Sequence, residues 1–114
     1  MSIVIWHNPK CSKSRQALAL LEERGLSPKV RRYLDDPPSA SEIEAVVAKL
    51  GFDDASGLVR KKEALYGELG VAGMVGAKLV ETLATNPRLI ERPVVISDKG
   101  ARIGRPTEAV LEIL

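Results

Sequence analysis

Cys11 is the single cysteine of this 114-residue chain, and it stands in the segment His7-Asn8-Pro9-Lys10-Cys11-Ser12-Lys13-Ser14-Arg15. Asn8-Pro9-Lys10 is turn chemistry, with Pro9 biasing Asn8 away from the helical region. From Ser12 onward, Ala17, Leu18 and Leu21 supply the apolar stripe of a helix. A thiol at that junction meets the free amides and partial positive charge of a helix N-terminus, which favour thiolate and lower the pKa from about 8.5. Lys10, Lys13 and Arg15 add positive charge, Ser12 and Ser14 offer hydroxyl donors, and His7 could face the same site. The alternative is a small buried hydrophobe, as free cysteines often are. The exposed-loop character of Pro9, Lys10, Ser12 and Lys13 argues against it.

Two related chemistries are separated by spacing. Cys11 to Ser14 reads C-x-x-S, with serine where a dithiol oxidoreductase has its second cysteine. A phosphatase-type C-x5-R loop loses most of its weight, because Ala17 occupies the arginine's position and Arg15 gives only C-x3-R. With one cysteine the chain closes no internal disulfide, which fits a reducing cytosol. Any redox cycle at Cys11 must therefore be resolved by a thiol from another molecule.

Three arginines stand apart from ordinary surface charge. Arg60 lies in Leu58-Val59-Arg60-Lys61-Lys62, Arg92 precedes Pro93, and Arg105 precedes Pro106. The two Arg-Pro pairs fall at strand boundaries, where side chains can converge at a sheet end. A cluster of guanidinium forks suits a tetrahedral oxyanion and would hold a nearby thiol as thiolate. Taken singly, each arginine reads more readily as solvated or carboxylate-paired charge, with Glu91 and Glu108 as candidate partners, and spacing alone does not make the three a site. Pro93 is a candidate for a cis bond facing the cysteine, although most X-Pro bonds are trans.

The elements that must position these groups follow from the pattern. Ile3-Val4-Ile5-Trp6 reads as a short buried strand, and a helix from about Ser12 is capped near Gly25. Val30 to Leu34 reads as a second strand stopped by Asp35-Asp36-Pro37-Pro38. Ser39 and Glu42 form a capping box before a helix with Ile43, Val46, Val47 and Leu50 on one face, ending at Gly51. Helical segments are expected from Ala55 to about Leu69 and from Ala77 to about Ala84, closed by Asn86-Pro87. Val94-Val95-Ile96 and Ala101 to Ile103 form a hairpin around Asp98-Lys99-Gly100. Pro106 is expected as the first residue of a last helix, with Glu108 favourable near its start and Val110, Leu111, Ile113 and Leu114 packing on the sheet. Strand–helix–strand gives a right-handed parallel crossover. The whole order implies an α/β, thioredoxin-like fold: one domain over 1–114, a mixed four-stranded sheet, and a helical insertion over about residues 38–87.

Composition narrows the function classes. The chain is 45% hydrophobic and 28% charged with a net charge of +2, an ordinary globular balance with no basic stripe for nucleic acid. No run approaches the ~20 apolar residues of a membrane span. The N-terminal Met1-Ser2-Ile3-Val4-Ile5-Trp6 has neither the charged leader nor the apolar length of a signal peptide, so a cytoplasmic location is expected. One histidine, one cysteine and scattered carboxylates make no zinc-type ligand set. Asp35-Asp36 and Asp53-Asp54 read as turn and cap residues, Lys61-Lys62 as a solvated face, and Trp6 as core.

The segment His7 to Arg15 resembles the active-site segment of the glutaredoxin-linked arsenate reductases, the ArsC family. Tyr33-Leu34-Asp35-Asp36-Pro37-Pro38 resembles their second strand and its exit. Leu58-Val59-Arg60-Lys61, Glu91-Arg92-Pro93-Val94-Val95 and Ile103-Gly104-Arg105-Pro106-Thr107-Glu108 resemble their arginine-bearing segments. The resemblance runs essentially end to end. It implies that Cys11 attacks arsenate, that Arg60, Arg92 and Arg105 bind the oxyanion and stabilise the thiolate, and that His7 is catalytic, tuning the cysteine. Ser12, Ser14, Arg15 and Pro93 would support the site. Glutathione would act as co-substrate and glutaredoxin as partner, with no bound cofactor or metal and a monomeric chain. The best-characterised members continue after the cysteine with Gly-Thr-Ser-Arg, whereas this chain has Ser12-Lys13-Ser14-Arg15, which looks like a chromosomal branch. Gly104 stands where some members carry a cysteine, a difference read as harmless.

Two other readings compete. A general glutathione-linked thiol oxidoreductase would act on mixed disulfides. A redox-sensing regulator resembling Spx would contact RNA polymerase, but Ser14 removes the usual C-x-x-C switch and a regulator has no need of an oxyanion pocket.

Overall fold

The computed structural model describes residues 2–114. They divide into two compact units. One contains residues up to Asp36 together with Arg92–Leu114, and the other is Pro37–Glu91.

The first unit is built on four strands: β1 (Val4–Trp6), β2 (Lys29–Arg31), β3 (Val94–Ser97) and β4 (Gly100–Ile103). Their order across the sheet is β2-β1-β3-β4. β1 pairs parallel with β2 and antiparallel with β3, and β3 pairs antiparallel with β4. The parallel pair is joined by helix α1 (Ser12–Glu23), as a crossover requires. The chain ends in a 3-10 helix, Thr107–Ile113. Ile3, Ile5, Ala17, Leu21, Val95, Val110 and Ile113 form one buried cluster drawn from β1 and the residue before it, α1, β3 and the C-terminal helix. This is the mixed four-stranded thioredoxin-like sheet that the element order implies, and Trp6 is core.

Three local expectations shift. The second strand is Lys29–Arg31 rather than Val30 to Leu34. The chain turns early because the amides of Asp35 and Asp36 both bond the Arg32 carbonyl, at 3.0 and 2.9 Å, and Arg31 Nε donates to the Asp36 carbonyl at 3.0 Å. The last helix is 3-10, with Pro106 as its N-cap rather than its first residue. Of its apolar residues Val110 and Ile113 are buried, whereas Leu111 is only half-buried.

The second unit is helical. α2 (Ala40–Leu50) starts at the Ser39–Glu42 capping box and buries Ile43, Val46, Val47 and Leu50. It ends at Gly51, whose φ of 78° is the left-handed cap geometry that glycine adopts without a Cβ penalty. The expected helix from Ala55 to Leu69 is two pieces, a 3-10 turn Ala55–Leu58 and α3 (Ala64–Glu68). The gap has a cause: Val59 bridges Ile90, Arg60 N–H donates to the Leu89 carbonyl at 2.6 Å, and Glu91 N–H donates to the Leu58 carbonyl at 2.7 Å. Backbone committed to that ladder cannot also close helical bonds. Asp54 caps the 3-10 turn, accepting from the Ser56 amide at 2.9 Å. A 3-10 turn Val71–Gly73, helix α4 (Gly76–Thr85) and a 3-10 turn Pro87–Leu89 complete the unit.

Candidate active site

Strand register brings the reactive segments to one end of the sheet. Trp6 pairs with Val94, and Val94 pairs with Ile103. The residues just after β1, just before β3 and just after β4 therefore emerge together: His7 to Cys11, Arg92-Pro93 and Gly104-Arg105. Asn8 shapes the first of these segments. Its Oδ1 accepts from the Lys10 amide at 3.0 Å and its carbonyl accepts from the Cys11 amide at 3.0 Å. Cys11 then takes the extended conformation of an N-cap, φ −96° and ψ 123°, and its carbonyl accepts the first helical bond from Arg15 at 3.0 Å.

The thiol is half-buried. Burial alone pushes its pKa up, but the Ser14 amide, the Arg92 guanidinium and the Lys13 amide together outweigh it and hold Cys11 below the ordinary thiol range. No regular capping bond closes on the sulfur. The amides nevertheless stand near enough to favour the charged form.

Arg105 Nη2 lies 3.6 Å from Cys11 Sγ, while its Nε donates to the Arg92 carbonyl at 2.8 Å. One guanidinium thus bridges the two Arg-Pro segments and the thiol. Gly104 N–H donates to the Pro93 carbonyl at 2.9 Å, and a Cβ on Gly104 would stand 2.8 Å from Pro93 Cγ. The glycine permits this close approach. Both Arg92-Pro93 and Arg105-Pro106 are cis. Thr107 Oγ1 donates to Gln16 Oε1 at 3.3 Å, tying the Arg105 loop to α1.

His7 and Ser14 are both buried. Ser14 Oγ stands 2.7 Å from His7 Nδ1 and accepts from the Asn8 amide at 3.0 Å. The Ser14 hydroxyl therefore serves His7 and Asn8 rather than the sulfur, and its amide is what acts on Cys11. Burial pushes the His7 pKa down, and Arg32 and then Arg15 push it further down. Arg15 also steadies the turn, donating to the Pro9 carbonyl at 2.9 Å. Ser12, Lys10 and Lys13 are exposed around the thiol's segment.

Arg60 belongs to the helical unit, where Nη1 meets Glu91 Oε1 at 3.2 Å with both side chains largely buried. Glu91 is the partner that the sequence nominated. Sequence reasoning missed Asn8, Arg32, Gln16 and Thr107 as supports. Asn8 was detectable, since asparagine before proline readily bonds a backbone amide two residues on. The Arg32 contribution arises from tertiary placement that no local pattern carries. Among the described residues no group of three or more His, Cys, Asp or Glu side chains is arranged to hold a metal ion, and no helix is long and apolar enough to cross a membrane.

A thiol with a lowered pKa at a helix N-terminus, faced by two arginines across a sheet end, marks a thiol protein of thioredoxin-like fold whose site is suited to an anion. The model of the ArsC family matches residues 6–113. An arsenate reductase of Haemophilus influenzae is 45% identical over 116 residues, covering 100% of each chain. The protein YfgD of Escherichia coli, described as uncharacterized, is 45% identical with 98% of this chain and 96% of that one covered. The solved structure of an arsenate reductase from Vibrio cholerae superposes with a TM-score of 0.96 at 47% identity, covering 100% and 98% of the two chains. The chain belongs to the ArsC family.

Proposed function

We propose that this protein is an arsenate reductase that uses glutathione and glutaredoxin. The observation that carries the reading is Arg105 Nη2 at 3.6 Å from a sulfur that Arg92 and two helix amides favour as thiolate. Positive charge of that kind attracts a tetrahedral oxyanion and stabilises the nucleophile meant for it. Full-length relatives named as arsenate reductases supply the substrate class.

The Cys11 thiolate attacks the arsenic of arsenate, forming an S–As bond as a protonated oxygen leaves as water. Glutathione thiolate then attacks Cys11 Sγ. The S–As bond breaks, its electron pair stays on arsenic, and As(V) becomes As(III), released as arsenite. The product on the protein is a Cys11–glutathione mixed disulfide. Glutaredoxin returns Cys11 to the thiol by exchange, because the chain holds no second cysteine. Arg92 and Arg105 hold the oxyanion and its developing charge. Arg60 joins them on the strength of the family resemblance alone. In this reading the protein acts as a cytoplasmic monomer without a bound cofactor.

The test is arsenate-dependent NADPH oxidation coupled through glutathione, glutaredoxin and glutathione reductase, for wild type beside Cys11→Ser. Turnover in wild type that vanishes in the variant supports the reading. Absence of turnover in wild type, with Cys11 still alkylating rapidly at neutral pH, would transfer the assignment to thiol transfer on mixed disulfides.

A further inference from the structure

The Ser14 hydroxyl fixes something that distances alone leave ambiguous: the position of the imidazole proton. The residue is fully buried and its hydroxyl meets two groups, the Asn8 amide at 3.0 Å and His7 Nδ1 at 2.7 Å. A hydroxyl has one proton and two lone pairs. The Asn8 amide can only donate, so it takes a lone pair. A buried hydroxyl proton left without an acceptor forfeits its hydration for nothing in return, so buried hydroxyls donate where an acceptor is in reach. Among the described residues the acceptor in reach is His7 Nδ1. The ring proton then belongs on Nε2.

We propose that Ser14 is a positioning residue: by donating to Nδ1 it holds His7 as the neutral Nε2–H tautomer and so removes the imidazole as proton acceptor for Cys11. The basic lone pair of a neutral imidazole is the one on its unprotonated nitrogen. Here that lone pair is occupied. Taking a proton would also create an imidazolium in a buried site facing Arg32 and Arg15, both of which disfavour it. The thiolate must therefore exist before the oxyanion arrives, its proton already lost to solvent, and the arginines and helix amides must maintain it. His7 contributes form rather than base strength. Through Ser14 it locks the turn at Asn8 to the first turn of α1, where the Ser14 amide faces the sulfur.

This inference rests on Cys11 as the nucleophile, but its test is independent of arsenate turnover. His7 is the sole histidine of the chain, so a long-range proton–nitrogen correlation spectrum of uniformly nitrogen-15-labelled protein reports its tautomer without assignment ambiguity. Wild type is expected to show protonated Nε2 and unprotonated Nδ1 throughout about pH 6 to 8, the range in which an ordinary imidazole titrates. Ser14→Ala should give a mixture of tautomers, and Ser14→Thr, which keeps the hydroxyl, should restore the single form. A proton on Nδ1, or an imidazolium at neutral pH in wild type, would overturn the proposal whether or not either variant folds. The expected tautomer in a protein inactive on arsenate would instead overturn only the substrate assignment.

Discussion

Arg60 in the helical unit and Arg105 in the sheet unit are held in different ways. In the helical unit Arg60 meets Glu91 at 3.2 Å, and its charge is matched where it stands. Arg105 donates from Nε to a backbone carbonyl, which orients the guanidinium, and presents Nη2 to the sulfur at 3.6 Å. Arg92, one residue before the other cis proline, acts on the same thiol. A carbonyl orients a guanidinium without itself supplying a counter-charge, whereas a carboxylate does both. The thiol and the two arginines that act on it lie where strand ends meet.

That contrast can be broken or sharpened by substitution. The largest effect is expected from Cys11→Ser, which should abolish coupled turnover while leaving the circular dichroism spectrum and thermal midpoint near wild type. Next is Leu83→Ala in the helical unit: Leu83 is fully buried, and its truncation should cost about 2–5 kcal/mol in urea unfolding. The midpoint of Cys11 alkylation in the folded protein should stay in place. A shift as large as that of an arginine variant would contradict the division of roles. Arg92→Ala should raise the Cys11 pKa and slow alkylation at neutral pH by about tenfold, since one pKa unit corresponds to about 1.4 kcal/mol. The rate well above the thiol pKa should be unchanged. Ser39→Ala removes half of the capping box and should cost about 1 kcal/mol in urea unfolding with no effect on the thiol. Arg60→Ala should be mildest for stability, under about 1 kcal/mol, because the pair retains some exposure to solvent.

Much of this arrangement was legible in the sequence, for physical reasons. The capping box at Ser39 and Glu42, the apolar face of α2 and the β3–β4 hairpin depend on neighbours within a few residues. So does the thiol's place at the start of α1, since Pro9 and the stripe from Ala17 mark the junction. The failures lie where specific backbone pairing, distant or local, overrides composition. The stretch from Ala55 to Leu69 has helical composition, but Val59 to Arg60 pair with Leu89 and Ile90, some thirty residues on. Val30 to Leu34 has strand composition, yet the turn around the Arg32 carbonyl ends β2 at Arg31. At the site, the arginines were nominated by type and strand boundary. The carbonyl that orients Arg105, the close approach at Gly104 and the pressure of Arg32 on His7 come from tertiary placement. The Ser14 hydroxyl was expected to face the thiol and instead faces His7, because it is buried against the preceding turn.

The electrostatics also set a direction for pH. A thiol whose pKa is depressed by folding adds stability that is fully present above the ordinary thiol pKa. That stability is lost as pH falls through the folded protein's own lower midpoint. The most direct test of the central claim is therefore the rate of Cys11 alkylation by iodoacetamide as a function of pH in the wild-type protein. A single ionisation is expected, with its midpoint below the ordinary thiol value of about 8.5. A midpoint at or above that value would mean that burial outweighs the helix amides and Arg92, and that this thiol is not a nucleophile held in readiness for an oxyanion.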